Sequence, residues 1–104
     1  MKKYSFKELK SFILSQKDER EIKMRENYEP DCGCILVHFF RKKTKNKVFS
    51  VGYSNGIIVK DFNEVAVAFD EKESQILFSF INKLLEHDVK NYKQAKEVLK
   101  KFNH

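Results

Sequence analysis

The sequence predicts an α+β fold: an N-terminal helix, an antiparallel β meander of three to four strands, and two C-terminal helices packed on one face of the sheet. Three observations predict it. Ile76, Leu77, Phe80, Ile81, Leu84 and Leu85 recur at helical spacing and mark a long helix late in the chain. Ser54-Asn55-Gly56, set between VFSVGY and IIVKDF, marks a hairpin, because Asn-Gly accepts positive φ at both turn positions at little steric cost. Antiparallel strands followed by helices grouped on one face are the α+β arrangement.

Each element has its own signal. Ser5 with Glu8 forms a capping box, and Phe6, Leu9, Phe12 and Ile13 follow as the apolar side of a first helix. In EIKMRENY (21–28), the alternation of Ile22, Met24 and Tyr28 fits a short edge strand. A charged continuation of the helix fits nearly as well, and Pro30 closes either one. CILVHFFR (34–41) is apolar on both alternating faces, as a covered central strand would be. RKKTKNK then has no apolar residue and turns in solvent before VFSVGY (48–53), IIVKDF and VAVAF (65–69). Asp70 with Glu73 and Asn91 with Gln94 supply two further helix caps, the second opening a helix with Tyr92, Ala95, Val98, Leu99 and Phe102 on its buried side.

The chain of 104 residues reads as one domain, 1–104, long enough to bury a core without disulfide staples. A hydrophobic fraction of 41% and ten phenylalanines place it among folded globules. MKKYSFKELKSFILS opens basic, as a signal peptide does, but Glu8 and Lys10 interrupt the apolar stretch, so export and membrane spanning are not expected. Two neighbouring cysteines are no secreted disulfide framework, and the expected location is cytoplasmic.

The net charge of +6 is unevenly spread. Residues 1–31 are nearly balanced, 32–60 carry Arg41, Lys42, Lys43, Lys45, Lys47 and Lys60 with no acid, 61–88 are acidic, and 89–104 are basic again. Such blocks make a dipolar surface that steers oppositely charged partners. Of 21 basic residues 18 are lysine, which codon usage in an AT-rich genome also favours and which is the poorer residue for bidentate phosphate recognition.

Catalytic and metal chemistry find little footing. Cys32 and Cys34 are two ligands where tetrahedral zinc needs four, and on a strand His38 would lie about 13 Å from Cys34. A disulfide across one residue sits near the ~6.8 Å limit of Cα separation. The C-G-C therefore reads as the packed mouth of a strand. His38 reads as a hydrogen-bonded histidine in an apolar strand, His87 as a helix-end cation, and His104 as terminal. Gly33, Gly52 and Gly56 open no helix, so phosphate-cradling loops are missing, and Glu71 and Glu73 are accounted for by capping. No enzyme, cofactor or metal is expected.

The stronger signal is basic. Arg41, Lys42, Lys43, Lys45 and Lys47 would form the tip of a β-ribbon able to follow a phosphate backbone, with Tyr53 near the neighbouring turn as a stacking ring. Lys93, Lys96, Lys100 and Lys101 on the last helix would extend that surface. The plain alternative is a solvated loop whose lysines protect a sheet edge. The element order is similar to that of the double-stranded-RNA-binding domain, whose second helix opens on a lysine-rich motif. Here that place reads DEKES, of the wrong sign for phosphate, and no family is assigned.

The expected function is a small non-catalytic binding module that docks on nucleic acid or on a nucleic-acid-handling protein complex. Its style matches phage and mobile-element accessory proteins that block a host machine. The alternative is a protein-directed adaptor or inhibitor, as a monomer or a homodimer, using an exposed apolar sheet face of the 34–40 strand and the acidic 61–88 block. A metal or redox protein built on the C-G-C ranks behind both, and no membrane partner is expected.

Overall fold

In the computed structural model residues 3–23, 35–44, 48–54, 56–61 and 65–102 are described, with side chains for 3–23, 35–43 and 69–102. The order is α1 (Phe6–Ser15), α2 (Ile35–Thr44), β1 (Val48–Ser54), β2 (Gly56–Asp61), β3 (Val65–Phe69), α3 (Glu71–Glu86) and α4 (Tyr92–Lys101).

Local chemistry sets the helix ends. At α1, Ser5 Oγ accepts from the Glu8 amide at 3.3 Å and Glu8 Oε2 accepts from the Ser5 amide at 2.9 Å, so the capping box closes. At α3, Asp70 Oδ1 accepts from the Glu73 amide at 2.9 Å, but Glu73 Oε2 accepts from the Phe6 amide at 3.2 Å. The side chain expected to complete a local box instead ties the start of α3 to the start of α1. At α4, Asn91 Oδ1 accepts from the Gln94 amide at 2.9 Å. Helix α3 ends in a Schellman motif, with the Val89 amide donating to Leu84 O and the Asp88 amide to Leu85 O. Asp88 holds the left-handed position at φ 48° that glycine usually fills.

The predicted fold class is corrected. The body is mostly helical, and its described core comes from four helices rather than from a sheet carrying two helices on one face. The decisive difference lies at 35–44, found as α2 where a covered strand over 34–41 and the start of a solvated basic turn are expected. Ile35, Leu36, Val37, Phe39 and Phe40 are all buried, so the first turns of α2 are apolar around most of their circumference. A short apolar run broken only by His38 has too few polar residues to reveal its period, and a buried helix and a buried strand then read alike. The four-strand form of the meander and the keyword α+β fall with that strand. The strands that form are short antiparallel pairings in the order β1-β2-β3, with Tyr53 opposite Ile57 and Val59 opposite Ala66. Asn55 lies outside the described residues. Helix α2 lies against β1 and α3 against β2, whereas α4 packs on α1 and α3.

Phe69, at the end of β3, enters an aromatic cluster with Tyr4, Phe39 and Phe40, at centroid distances of 5.7–6.4 Å. Phe12 joins Phe39 to Tyr92 through edge contacts at 5.5 and 6.2 Å. Phe6, Phe80 and Phe102 form a second cluster between α1, α3 and the end of α4. The segment after α1 runs alongside the start of α4: the Ile22 amide donates to Lys90 O, the Tyr92 amide to Arg20 O and the Lys93 amide to Asp18 O. Of the 21–28 segment, Ile22 is buried and Glu21 makes an isolated bridge with Asn91, while residues 24–28 lie outside the described part.

Candidate functional site

Arg41, Lys42 and Lys43, predicted for a hairpin tip, stand on a helix instead. They form the last turn of α2, where cations meet the negative end of the helix dipole. Lys45 and Lys47 lie outside the described residues, as do Asp31, Cys32, Cys34 and His104. Tyr53 is placed by its β1 backbone alone.

The helical setting lays cations over aromatic rings. Lys42 Nζ stands 5.8 Å from the centroid of Phe12, and Lys43 Nζ stands 5.7 Å from that of Phe39. Next along the same run of rings, the Arg20 guanidinium carbon lies 5.7 Å from the centroid of Tyr92. Each contact holds a charge by cation–π attraction while its head group faces water. Between α1 and the end of α2 runs a shallow groove of about 360 Å³, lined among others by Lys7, Ser11, Ser15, Lys42 and Lys43. Glu8 also lines it, but that carboxylate is engaged by the Ser5 amide. Lys7 and Arg20 were not singled out by the sequence. Lys7 lay in a charge-balanced block, and Arg20 is brought to Tyr92 by the pairing of residues 18–22 with 90–93.

The lysines of α4 divide. Lys96 Nζ bonds Asp18 Oδ1 at 2.7 Å and also donates to Gln16 O, so its charge serves the joint between α4 and the segment after α1. Lys96 and, more weakly, Lys93 hold the Asp18 carboxyl below the usual range. Lys93 and Lys100 are exposed. Lys101 lines a separate groove of about 600 Å³ between α3 and α4, with Lys83, His87 and Glu97 among its polar groups. The predicted surface is therefore reached in part: Lys42 and Lys43 share a groove, Lys93 sits beside the Asp18–Arg20 segment, and Lys100 and Lys101 lie farther along α4.

His38 is half-buried on α2, and its Nδ1 is 2.9 Å from the Tyr92 hydroxyl with the two rings stacked at 5.9 Å. Burial, then the positive charges of Arg20 and Arg41, pull its pKa down to about 4. His87 caps α3, its amide donating to Lys83 O. Among the described residues no group of three His, Cys, Asp or Glu side chains is placed to hold a metal ion, and no helix is long and apolar enough to cross a membrane. No known protein family, curated protein or solved structure matches the chain.

Proposed function

We propose that the chain is a non-catalytic, cytoplasmic binding module that docks on the phosphate backbone of a nucleic acid, free or within a nucleic-acid-handling complex. One observation carries the reading. Lys7 from α1 and Lys42 and Lys43 from α2 line one groove beside the hydroxyl-bearing Ser11 and Ser15, and Glu8, the one carboxylate among its described lining residues, accepts from the Ser5 amide. Cations held on ring faces are preorganised for phosphate, and hydroxyls next to them suit phosphate oxygens. Among the described residues the groove offers no guanidinium fork to read base edges, so recognition of shape or charge fits better than recognition of sequence. Leu36, Phe40 and their neighbours, which the protein-directed alternative placed on an exposed sheet face, are buried in the helical core.

Fluorescence-anisotropy titration of labelled single- and double-stranded DNA and RNA at two salt concentrations tests this. Support would be an affinity that drops steeply with salt and is lost in a Lys7→Glu, Lys42→Glu, Lys43→Glu variant whose circular dichroism is unchanged. No binding to any of the four at low salt refutes it.

A further inference from the structure

We infer that the groove of Lys7, Lys42 and Lys43 takes a duplex, gripped along the phosphates of one strand, in preference to a single strand. The inference rests on the phosphate-docking reading above and deepens it by naming the form of nucleic acid that fits.

The rings beside the groove are already covered. Single strands are held by a basic groove together with aromatic faces on which successive bases stack. Phe12 is the one aromatic among the described residues lining this groove, and it is buried, with Lys42 Nζ 5.8 Å from its centroid. Phe39, the ring beneath Lys43, is fully buried, with Lys43 Nζ 5.7 Å from its centroid. The two rings also meet each other edge-on at 5.5 Å. The protein's own lysines and core thus occupy the faces that a base would need. In a duplex the bases pair with one another and turn inward, so that partner asks for no ring.

What the groove offers instead is a preorganised row of donors. Lys7, Lys42 and Lys43 are exposed, and among the described residues none of them is paired with a carboxylate. Ser11 stands one turn beyond Lys7, about 6 Å along the axis of α1. Ser15 Oγ donates to Phe12 O at 2.7 Å, which leaves Ser11 as the hydroxyl with a proton for a phosphate oxygen. These groups stand on two helices anchored by core rings, and Lys42 and Lys43 are held over Phe12 and Phe39. A duplex presents its phosphates as an equally regular row, about one charge per 1.7 Å of axis. A single strand has to be ordered first, at a cost in chain entropy that no stacking contact offsets here.

DNA and RNA duplexes share this row, and the test includes both. Strands of one sequence, single and annealed, are titrated by fluorescence anisotropy over a range of salt. The expected result is a duplex, of DNA or of RNA, bound at least about tenfold more tightly than its separate strands. For three neutralised phosphates, log K for the duplex should fall against log salt with a slope of about −2.7. Lys7→Gln, at an exposed position, should reduce that slope to about −1.8. A single strand carrying abasic sites should bind as weakly as the intact strand, because no ring receives its bases. Single strands that bind as tightly as the duplex, or that lose affinity when bases are removed, overturn the duplex preference and leave phosphate docking in place. No binding of any strand or duplex at low salt removes the docking reading and this inference with it. A preference confined to the RNA or to the DNA duplex supports the inference and fixes the helical form.

Discussion

The basic ends of α2 and α4 look alike in sequence and differ in what surrounds them. Arg41–Lys43 close a helix buried nearly all round, and Lys42 and Lys43 rest on Phe12 and Phe39. Lys93–Lys101 run along a helix buried on one stripe, and its central cation, Lys96, is joined to Asp18. The comparison teaches that lysine density does not measure binding surface. A cation on a ring keeps its charge for a partner, whereas one bonded to a carboxylate has largely neutralised it.

The largest break would come from the rings beneath the first cluster. Phe39→Ala removes a fully buried ring that touches Tyr4, Phe12, Phe40 and Phe69, and should cost about 3–5 kcal/mol in urea denaturation. Val98→Ala, on the partly buried flank of α4, should cost about 1 kcal/mol. Equal costs would mean that α2 is no more central than α4.

Charge reversal separates the clusters themselves. Lys42→Glu with Lys43→Glu should weaken nucleic-acid binding about tenfold or more and flatten the salt dependence of log K by about two. Lys93→Glu with Lys100→Glu should do less, and the reverse order would move the interface to α4.

Protonation gives a third contrast. The folded pKa of His38 lies near 4, below the unfolded value near 6.5, so its contribution to stability is present above pH 6.5 and is lost as pH falls through 4. Screened by solvent at a half-buried ring, the loss should be about 1–2 kcal/mol across that window. His38→Asn should remove it, and denaturation midpoints measured between those pH values decide the matter.

The smallest effect is a gain. Asp88→Gly should stabilise the protein by about 0.5–1 kcal/mol, since glycine meets the positive φ without strain and an acid at a helix C-terminus opposes the dipole. A lower melting temperature would show that the Asp88–Lys90 pair, at 3.6 Å, outweighs both.

Much of the helical frame was legible because its signals are local. The Ser5–Glu8 box, the Asn91 cap and the stripe of α3 each depend on residues three or four apart, and each forms, although Leu85 at the edge of the stripe is 45% exposed. Helix α2 was not legible, since in an apolar run broken only by His38 one polar residue does not betray a period. The site was half legible. The sequence marked Lys42 and Lys43, but their partners Lys7 and Arg20 are made by packing, and nothing within a few residues of either one announces it. Glu73 shows the same limit, matching a local box and bonding instead to the Phe6 amide.

Residues 18–22 and 90–93 meet only after most of the chain between them has been gathered in. The Lys96–Asp18 bond alone spans 78 positions. Closing so long a span costs chain entropy before any contact repays it, whereas the turn between α3 and α4 closes almost for free. The order of assembly follows: the α3–α4 pair forms early, and the seam that seats Arg20 on Tyr92 closes late. Amides at that seam, Ile22 and Tyr92, should therefore acquire protection from hydrogen exchange after those of α3 during refolding. The cationic face would then be completed in the last folding step.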